Sequence, residues 1–189
     1  MMLKSIKQLV NEELKLFLSL KKREIKNSEY VNKNLKNVII PFNVRKIGND
    51  AFFESGIKKI IISSKVKNIG IRSFAYNNIS KLNIPDTVSY IGPGAFSHNN
   101  LKKVKLSNNL ETICTRSFEQ NNLEEIEIPI KVKTIEKEAF YYNKLKKLDL
   151  TDNINLKIIG SNSFEYNKLS NLILPNNLET ISYEAFKNN

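Results

Sequence analysis

The residues with the strongest intrinsic chemistry in this 189-residue chain are its one cysteine and its one histidine. Cys114 and His98 lie sixteen positions apart, and a nucleophilic pair would also need a third group to orient the base. Cys114 stands where comparable segments of the chain carry Gly48, Gly70 and Gly92. We therefore interpret Cys114 as a turn residue that has replaced glycine, and we predict no catalytic residue.

A group of carboxylates could serve acid–base chemistry or bind a cation. These carboxylates fall on the open face of the strands described below, where no apolar pocket would raise a pKa. A single cysteine excludes an intramolecular disulfide and a cysteine-based zinc site, and a single histidine disfavours a histidine cluster. The sequence therefore predicts no cofactor and no metal. The carboxylates are Glu124, Glu125, Glu127 and Asp149.

A repeat that occupies most of the chain positions these residues. Phenylalanines recur every 22 residues, with one interval of 24 where two extra residues fall within 151–156. Apolar residues follow each phenylalanine at +5, +8, +10, +14 and +17, and the residue before it alternates between Ala and Ser. From the second phenylalanine onward, Asn stands at +3. The phenylalanines are Phe52, Phe74, Phe96, Phe118, Phe140, Phe164 and Phe186.

Each repeat has the features of one coil of a solenoid. The apolar residues at +8 and +10 are the inward positions of a short strand, and the phenylalanine segment would form a turn and a short helix that close the coil. One coil cannot bury its apolar face alone, whereas stacked coils form a continuous core. The small residue before each phenylalanine allows coils to approach closely, and the Asn amides can bond nearby main-chain groups. We predict an α/β repeat solenoid of about seven coils.

The N-terminal segment shows helical spacing instead of the repeat. We predict an amphipathic helix from Met2 to about Lys26, and divide the chain into a helical cap, residues 1–34, and a solenoid, residues 35–189. No secretory signal or membrane span is recognisable, which predicts a cytoplasmic location by default. The lysines of this helix would also suit anionic lipid. The apolar residues at helical spacing are Leu3, Ile6, Val10, Leu14 and Phe17.

The repeat unit can be written I-x-x-x-A-F-x-x-N-x-L-x-x-L-x-L-P-x-x-L-x-x-I, as at Ile91, Ala95 and Phe96. This unit resembles the BspA-type leucine-rich repeat over about residues 35–189. The resemblance implies a right-handed solenoid with a parallel sheet on its concave face. It also implies a non-catalytic role in adhesion or host-protein binding, and a surface or secreted location. The family commonly carries Cys where these coils carry Asn.

The outward strand positions, +7 and +9, would form a concave face that binds a protein ligand. Their charges run from basic to acidic along the solenoid, with Lys103 beside Glu125 and Glu125 beside Lys147. Opposite charges on adjacent strands stabilise a sheet modestly, and a bipolar face would also suit a complementary protein. The predicted binding residues are Lys59, Lys81, Lys103, Lys105, Glu125, Glu127, Lys147 and Asp149.

A second candidate surface is a column of aromatic residues, two positions after the repeated phenylalanine, along one edge of the solenoid. Stacking between coils and an interaction ridge both remain open as its role, because Tyr is frequent in protein-binding surfaces. The residues of this edge ridge are Tyr76, His98, Tyr142 and Tyr166.

The net charge of +11 raises the question of anionic partners. The 30 basic residues are dispersed and only four are arginines, which disfavours nucleic acid. A cytoplasmic scaffold and an anion-binding protein for nucleic acid or lipid, acting through lysines, remain alternatives to adhesion. No polar cap follows Leu172 to Leu174, so the C-terminal sheet edge is open, and we predict self-association through it.

Overall fold

The computed structural model describes residues 22–189, which form coils of about 22 residues with fourteen short strands. Most coils contribute one strand of two residues and one of three. The two-residue strands are β1 (Glu24–Ile25), β3 (Lys46–Ile47), β5 (Asn68–Ile69), β7 (Tyr90–Ile91), β9 (Thr112–Ile113), β10 (Thr134–Ile135), β12 (Ile158–Ile159) and β14 (Thr180–Ile181). The three-residue strands are β2 (Asn37–Ile39), β4 (Lys59–Ile61), β6 (Lys81–Asn83), β8 (Lys103–Lys105), β11 (Lys147–Asp149) and β13 (Asn171–Ile173).

All the strand pairs are parallel and join equivalent residues of successive coils. The two-residue strands form sheets in the order β1-β3-β5-β7 and β9-β10-β12-β14, and the three-residue strands pair as β2-β4, β6-β8 and β11-β13. Lys81, for example, lies opposite Lys103, 22 residues later. This register confirms the predicted parallel-strand solenoid.

The prediction of a helix near the N-terminus is wrong for residues 22–26. Glu24 and Ile25 form β1, which pairs with β3, and the Ile25 side chain is fully buried. Tyr30 then takes the place of the repeated phenylalanine, with its ring stacked on Phe52 at 5.1 Å. Packing against the next coil thus outweighs the local helical spacing. The rest of that predicted helix, from Met2 to residue 21, lies outside the described residues.

The segments around the phenylalanines are turns, so the described residues form a β solenoid and not the α/β solenoid that we predicted. The residues two before and two after each phenylalanine have left-handed backbones, as at Arg72 (φ 47°) and Tyr76 (φ 57°), which interrupt any helix. The main-chain N–H of Phe74, which lies between them, donates to Ala95 O of the next coil at 2.9 Å. The chain therefore bonds from coil to coil here, as it does in the strands.

A continuous stack of phenylalanine rings forms the centre of the core. Neighbouring rings lie 5.0–5.8 Å apart between centroids and within 4–14° of parallel, from Phe52 to Phe186. The rings from Phe52 to Phe164 are fully buried. Aromatic pairs add about 0.5–1.5 kcal/mol each beyond the burial of their area. The widest spacing, 5.8 Å, separates Phe96 from Phe118.

The buried asparagines tie consecutive coils together. Asn77 Oδ1 accepts a hydrogen bond from Ile57 N at 2.8 Å, and Nδ2 donates to Phe52 O at 2.8 Å and to Phe74 O at 3.0 Å. One side chain thereby satisfies main-chain groups of two coils. Equivalent contacts are made by Asn99, Asn121, Asn143 and Asn167.

Both strand ladders are interrupted in the middle of the solenoid. Within residues 22–189, β7 does not pair with β9, and the segment 125–127, which lies between β8 and β11 along the chain, is not a strand. The turns remain joined here, because Phe96 N donates to Ser117 O at 2.9 Å and His98 N to Glu119 O at 2.9 Å. The coils at this point are thus joined by main-chain bonds on the phenylalanine side, whereas strand pairing is missing on the other side.

Candidate partner-binding surface

The interruption near residue 126 forms a depression in the face made by the outward residues of the three-residue strands, which we call the long-strand face. Val104 and Leu148 are buried at the equivalent positions of neighbouring coils, whereas Ile126 is only partly buried. The depression has a volume of about 740 Å³ and is lined by apolar residues and by charges of both signs. The polar lining residues are Lys103, Glu125, Glu127, Lys147, Asp149, Asp152, Asn153 and Asn171.

The loop that carries the two extra residues forms one wall of this depression. Asn153, which is buried, donates through Nδ2 to Ile128 O at 2.9 Å and to Pro129 O at 3.2 Å. These bonds hold the loop against the preceding coil and bring Asp152 into the lining. The position of the insertion was visible in the sequence. Its contact with residues 128–129 was not predicted.

The interrupted coil bonds its two neighbours through side chains. Glu125 accepts a hydrogen bond from Lys103 Nζ at 2.9 Å on one side, and Glu124 accepts one from Lys146 Nζ at 2.8 Å on the other. These bonds hold the pKa of both glutamates below the usual value and raise the pKa of Lys103. All four groups are exposed, so solvent screens their interaction. The ion pairs nevertheless neutralise the centre of the long-strand face.

Unpaired charges of opposite sign flank this neutral centre. Towards the N-terminus, Lys59, Lys81 and Lys105 are exposed and form no ion pair with another residue of the described part of the chain. Towards the C-terminus, Glu127 and Asp149 are likewise exposed and unpaired within residues 22–189. Hydrogen bonds from Thr151 Oγ1 and Thr151 N to Asp149, at 2.6 and 3.0 Å, lower the pKa of that carboxyl.

All eight residues that the sequence predicted for partner binding lie on this one face and are exposed. The structure brings five of them to the depression and leaves the other three on the strands before it. The five are Lys103, Glu125, Glu127, Lys147 and Asp149, and the three are Lys59, Lys81 and Lys105.

The predicted edge ridge is divided into two aromatic clusters. Tyr76 stacks on His98 with centroids 4.1 Å apart and planes at 10°. The ring centroids of Tyr142 and Tyr166 are 5.9 Å apart. Gln120 occupies the same position in the coil between the two clusters. The three tyrosines of the ridge are exposed, so stacking between coils does not remove them from solvent.

The structure places Cys114 and His98 in separate surroundings. Cys114 is buried, and its burial, with the charge of Glu136, raises the pKa of the thiol to about 11. Burial and the charge of Arg116 lower the pKa of His98, which stacks on Tyr76. A thiol with this pKa is a poor nucleophile at neutral pH. Within the described residues, no group of three His, Cys, Asp or Glu side chains is arranged to hold a metal ion.

The repeat and the coil geometry match a known family. Six copies of the BspA type leucine rich repeat region match the chain, over residues 23–146 and 90–189. The chain belongs to the BspA-type leucine-rich repeat family. This confirms the resemblance drawn from the repeat unit. Members of this class act as protein-interaction modules, and their folds are generally non-enzymatic scaffolds.

Solved structures of bacterial leucine-rich repeat proteins share the fold. A leucine-rich repeat protein from Bacteroides ovatus is 21% identical, with a TM-score of 0.59 over 82% of this chain and 47% of that chain. A leucine rich cell surface protein from Faecalibacterium prausnitzii is 22% identical, with a TM-score of 0.55 over 79% of this chain and 42% of that chain. The pneumococcal vaccine antigen PcpA is 27% identical, with a TM-score of 0.56 over 82% of this chain and 43% of that chain.

The BspA-type chain spans less than half the length of these three structures. No curated protein matches its sequence significantly. Across residues 22–189, the structure contains no helix with the length and apolarity that a membrane crossing requires.

Proposed function

We propose that this chain is a non-catalytic module that binds a protein partner through the long-strand face. The observation that carries the proposal is the depression beside Glu127 and Asp149, on a face whose unpaired charges reverse sign along the solenoid. Surfaces that meet a partner present complementary potentials, and concave sites with a partly apolar floor favour specific contacts. Membership of the BspA-type family supports the same conclusion.

We propose adhesion or recognition of a host protein at the cell surface as the setting. The cell surface protein from F. prausnitzii and the pneumococcal antigen support this proposal as similar folds. A cytoplasmic scaffold is the alternative. Protease treatment of intact cells, followed with an antibody and a cytosolic protein as control, separates the two. Loss of the chain before lysis supports adhesion, and survival until lysis contradicts it.

Binding through the long-strand face is tested with matched charge variants. The protein would be cross-linked to surface extracts of the host, and the captured partner would be identified by mass spectrometry. We expect the double variants Lys59→Glu/Lys81→Glu and Glu127→Lys/Asp149→Lys to lose the same partner. Lys65→Glu/Lys67→Glu is the control, because both lysines are exposed and Lys67 precedes β5, in the other ladder. Equal capture by all variants would exclude this face.

The edge ridge is the competing surface for the same partner. Replacing Tyr142 and Tyr166 by serine removes two exposed rings and leaves the long-strand face unchanged. If this variant loses the partner while the charge variants retain it, the ridge carries the binding and our proposal is wrong.

Self-association through the C-terminal sheet edge is proposed as a separate property. Leu172 of β13 and Ile181 of β14 are 38% and 49% exposed, in contrast to the buried residues at the same positions of most earlier strands. Exposed apolar strand edges favour pairing with another chain. Light scattering over a range of concentrations tests this, and a monomeric mass at the highest concentration would contradict it.

A further inference from the structure

The charges of the long-strand face leave two poles separated by a neutral centre. The ion pairs Lys103–Glu125 and Lys146–Glu124 neutralise the centre. We call Lys59 and Lys81 the basic pole, and Glu127, Asp149 and Asp152 the acidic pole. Within residues 22–189, none of these five side chains forms an ion pair. The poles therefore have charge available for a partner.

The basic pole has an arrangement that the fold itself does not require. Lys81 lies directly opposite Lys103 in the β6–β8 pair, but the carboxylate of Glu125 pairs with Lys103 and leaves Lys81 without a counter-charge. Lys59 occupies the same position one coil earlier, beside Ile61, whose side chain is 61% exposed. A carboxylate group of a partner placed above Lys59 and Lys81 would supply the counter-charge that Glu125 supplies to Lys103.

The acidic pole borders the depression. Glu127, Asp149 and Asp152 line it together with the exposed apolar residues Ile130 and Ile173 and with one lysine that has no ion pair in the described residues, Lys147, so carboxylates remain in excess. A long side chain with an apolar stem and a cationic head, such as Lys or Arg, fits a site of this composition because the stem packs on apolar surface while the head meets carboxylates. The same carboxylates repel phosphate groups, so the face as a whole favours a polypeptide over a nucleic acid.

We propose that the partner presents an extended segment that lies along the solenoid axis, with Asp or Glu over the basic pole and Lys or Arg in the depression. The inference rests on the proposed function, because it assigns the chemistry of the partner at that same face. Three coil spacings separate Lys81 from Asp149, and paired parallel strands lie about 4.8 Å apart; because the strands are unpaired at two of these spacings, the poles are at least roughly 14 Å apart. An extended chain advances about 3.3 Å per residue, which places the two charged groups of the segment at least roughly four residues apart.

The inference is tested with three fluorescein-labelled peptides of equal length. The bipolar peptide has Glu-Asp and Lys-Arg pairs separated by a short Ser-Gly spacer, the mixed peptide has the same composition with alternating charges, and the dibasic peptide has Lys-Arg at both ends. We expect the bipolar peptide to bind at least tenfold more tightly than the mixed peptide, by anisotropy at low salt. The difference should shrink in high salt, because exposed charges are screened there.

A change of specificity provides the stricter test. Lys59→Glu/Lys81→Glu should lose the preference for the bipolar peptide and prefer the dibasic peptide, because both poles are then acidic. Lys65→Glu/Lys67→Glu, with the same change in net charge, should keep the original preference. Equal binding of the bipolar and mixed peptides, or no change of preference in the variant, would overturn the inference.

The remaining outcomes are also decisive. Tighter binding of a single-stranded oligonucleotide than of the bipolar peptide would overturn the inference in favour of phosphate recognition. A mass by light scattering that doubles without peptide, and returns to that of the monomer in Lys59→Glu/Lys81→Glu, would identify a second copy as the occupant and overturn it too. If the pole variants lose the captured host partner but the peptides are not discriminated, the proposed function stands and this inference fails.

Discussion

Asn121 accepts a hydrogen bond from the main-chain N–H of Leu101 at 3.0 Å, which links two coils through a side chain. Its Nδ2 group also donates to Phe96 O at 3.0 Å and to Phe118 O at 3.2 Å. The amide lies beside the widest spacing in the phenylalanine stack, between Phe96 and Phe118. Asn121 therefore adds side-chain bonds to the main-chain bonds of the turns at the point where the strand ladders are interrupted.

Asn121→Ala should strongly destabilise the protein. The change leaves the buried N–H of Leu101 without a partner, while the carbonyls of Phe96 and Phe118 keep bonds from Asn99 and Asn143. Because a buried unsatisfied group costs about 1–3 kcal/mol, we expect the free energy of unfolding, from urea denaturation, to fall by that amount. Asn100→Ala is the control, since that side chain is exposed and should change stability by about 0.5 kcal/mol or less. A loss of the control's size for Asn121→Ala would contradict the prediction.

Replacing the buried serines before the phenylalanines by alanine should not weaken the protein. The hydroxyls of Ser73, Ser117 and Ser163 have no hydrogen-bond partner in the described part of the chain, and alanine fills the same position in alternate coils. Because an unsatisfied buried hydroxyl is unfavourable, each Ser→Ala change should raise the free energy of unfolding by roughly 1 kcal/mol. Ala95→Ser, the reverse change, should lower it in the same urea experiment. Destabilisation by Ser117→Ala would show that its hydroxyl has a partner in solution.

The stacked positions of the core could be predicted from the sequence, because each of them depends only on the spacing within one repeat. The phenylalanines, the small residues and the asparagines recur at fixed intervals, and each contacts its counterpart in the next coil. The sequence wrongly predicted short helices at the phenylalanines and a helix reaching Lys26, where residues 22–189 form turns and a strand. Spacing of apolar residues does not reveal the left-handed backbone at Arg72 or Tyr76, nor the pairing of Glu24 with Lys46.

The candidate site was predicted only in part, for a related reason. The exposed positions of the long-strand face follow from the alternation of side chains along a strand. The depression follows instead from the loss of pairing at residues 125–127 and from the contact of Asn153 with Ile128. Those features depend on how three different coils pack together, which no single repeat determines.

Cys114 should react slowly with thiol reagents in the native protein. Burial and the charge of Glu136 raise the pKa of its thiol to about 11, so the thiolate is scarce at pH 7.5. We expect the reaction with Ellman's reagent to be at least about 100-fold slower than in guanidinium chloride, because the native protein also restricts access. The denatured protein is its own control, as the chain has one cysteine. Equal rates in the two states would contradict the burial.

His98 should make the protein less stable as the pH falls below neutral. Burial and Arg116 lower the pKa of His98 below its usual 6.5, so the unfolded chain binds the proton more readily than the folded chain. Stability contributed by neutral His98 is present above pH 6.5 and is lost as the pH falls through the lowered pKa. We expect the loss of unfolding free energy between pH 7.5 and pH 5 to be smaller in His98→Tyr than in the unmodified protein.

Tyrosine is the matched replacement because Tyr76, Tyr142 and Tyr166 occupy the same position of the repeat with the same left-handed backbone. Other groups titrate equally in both proteins, so the difference between the two curves reports on His98. Parallel curves would show that His98 keeps its usual pKa in the folded state.

The interruption between β7 and β9 also has a mechanical consequence. In a solenoid each coil is fastened only to its neighbours, so a pulling force along the axis passes through every boundary in turn. At this boundary the turns are bonded through Phe96 and Ser117, while the adjoining two-residue strands are not paired. A load applied at the two ends would therefore separate the unpaired strands of this boundary first, next to the depression. The main-chain bonds around the phenylalanines would still hold the two halves of the solenoid together.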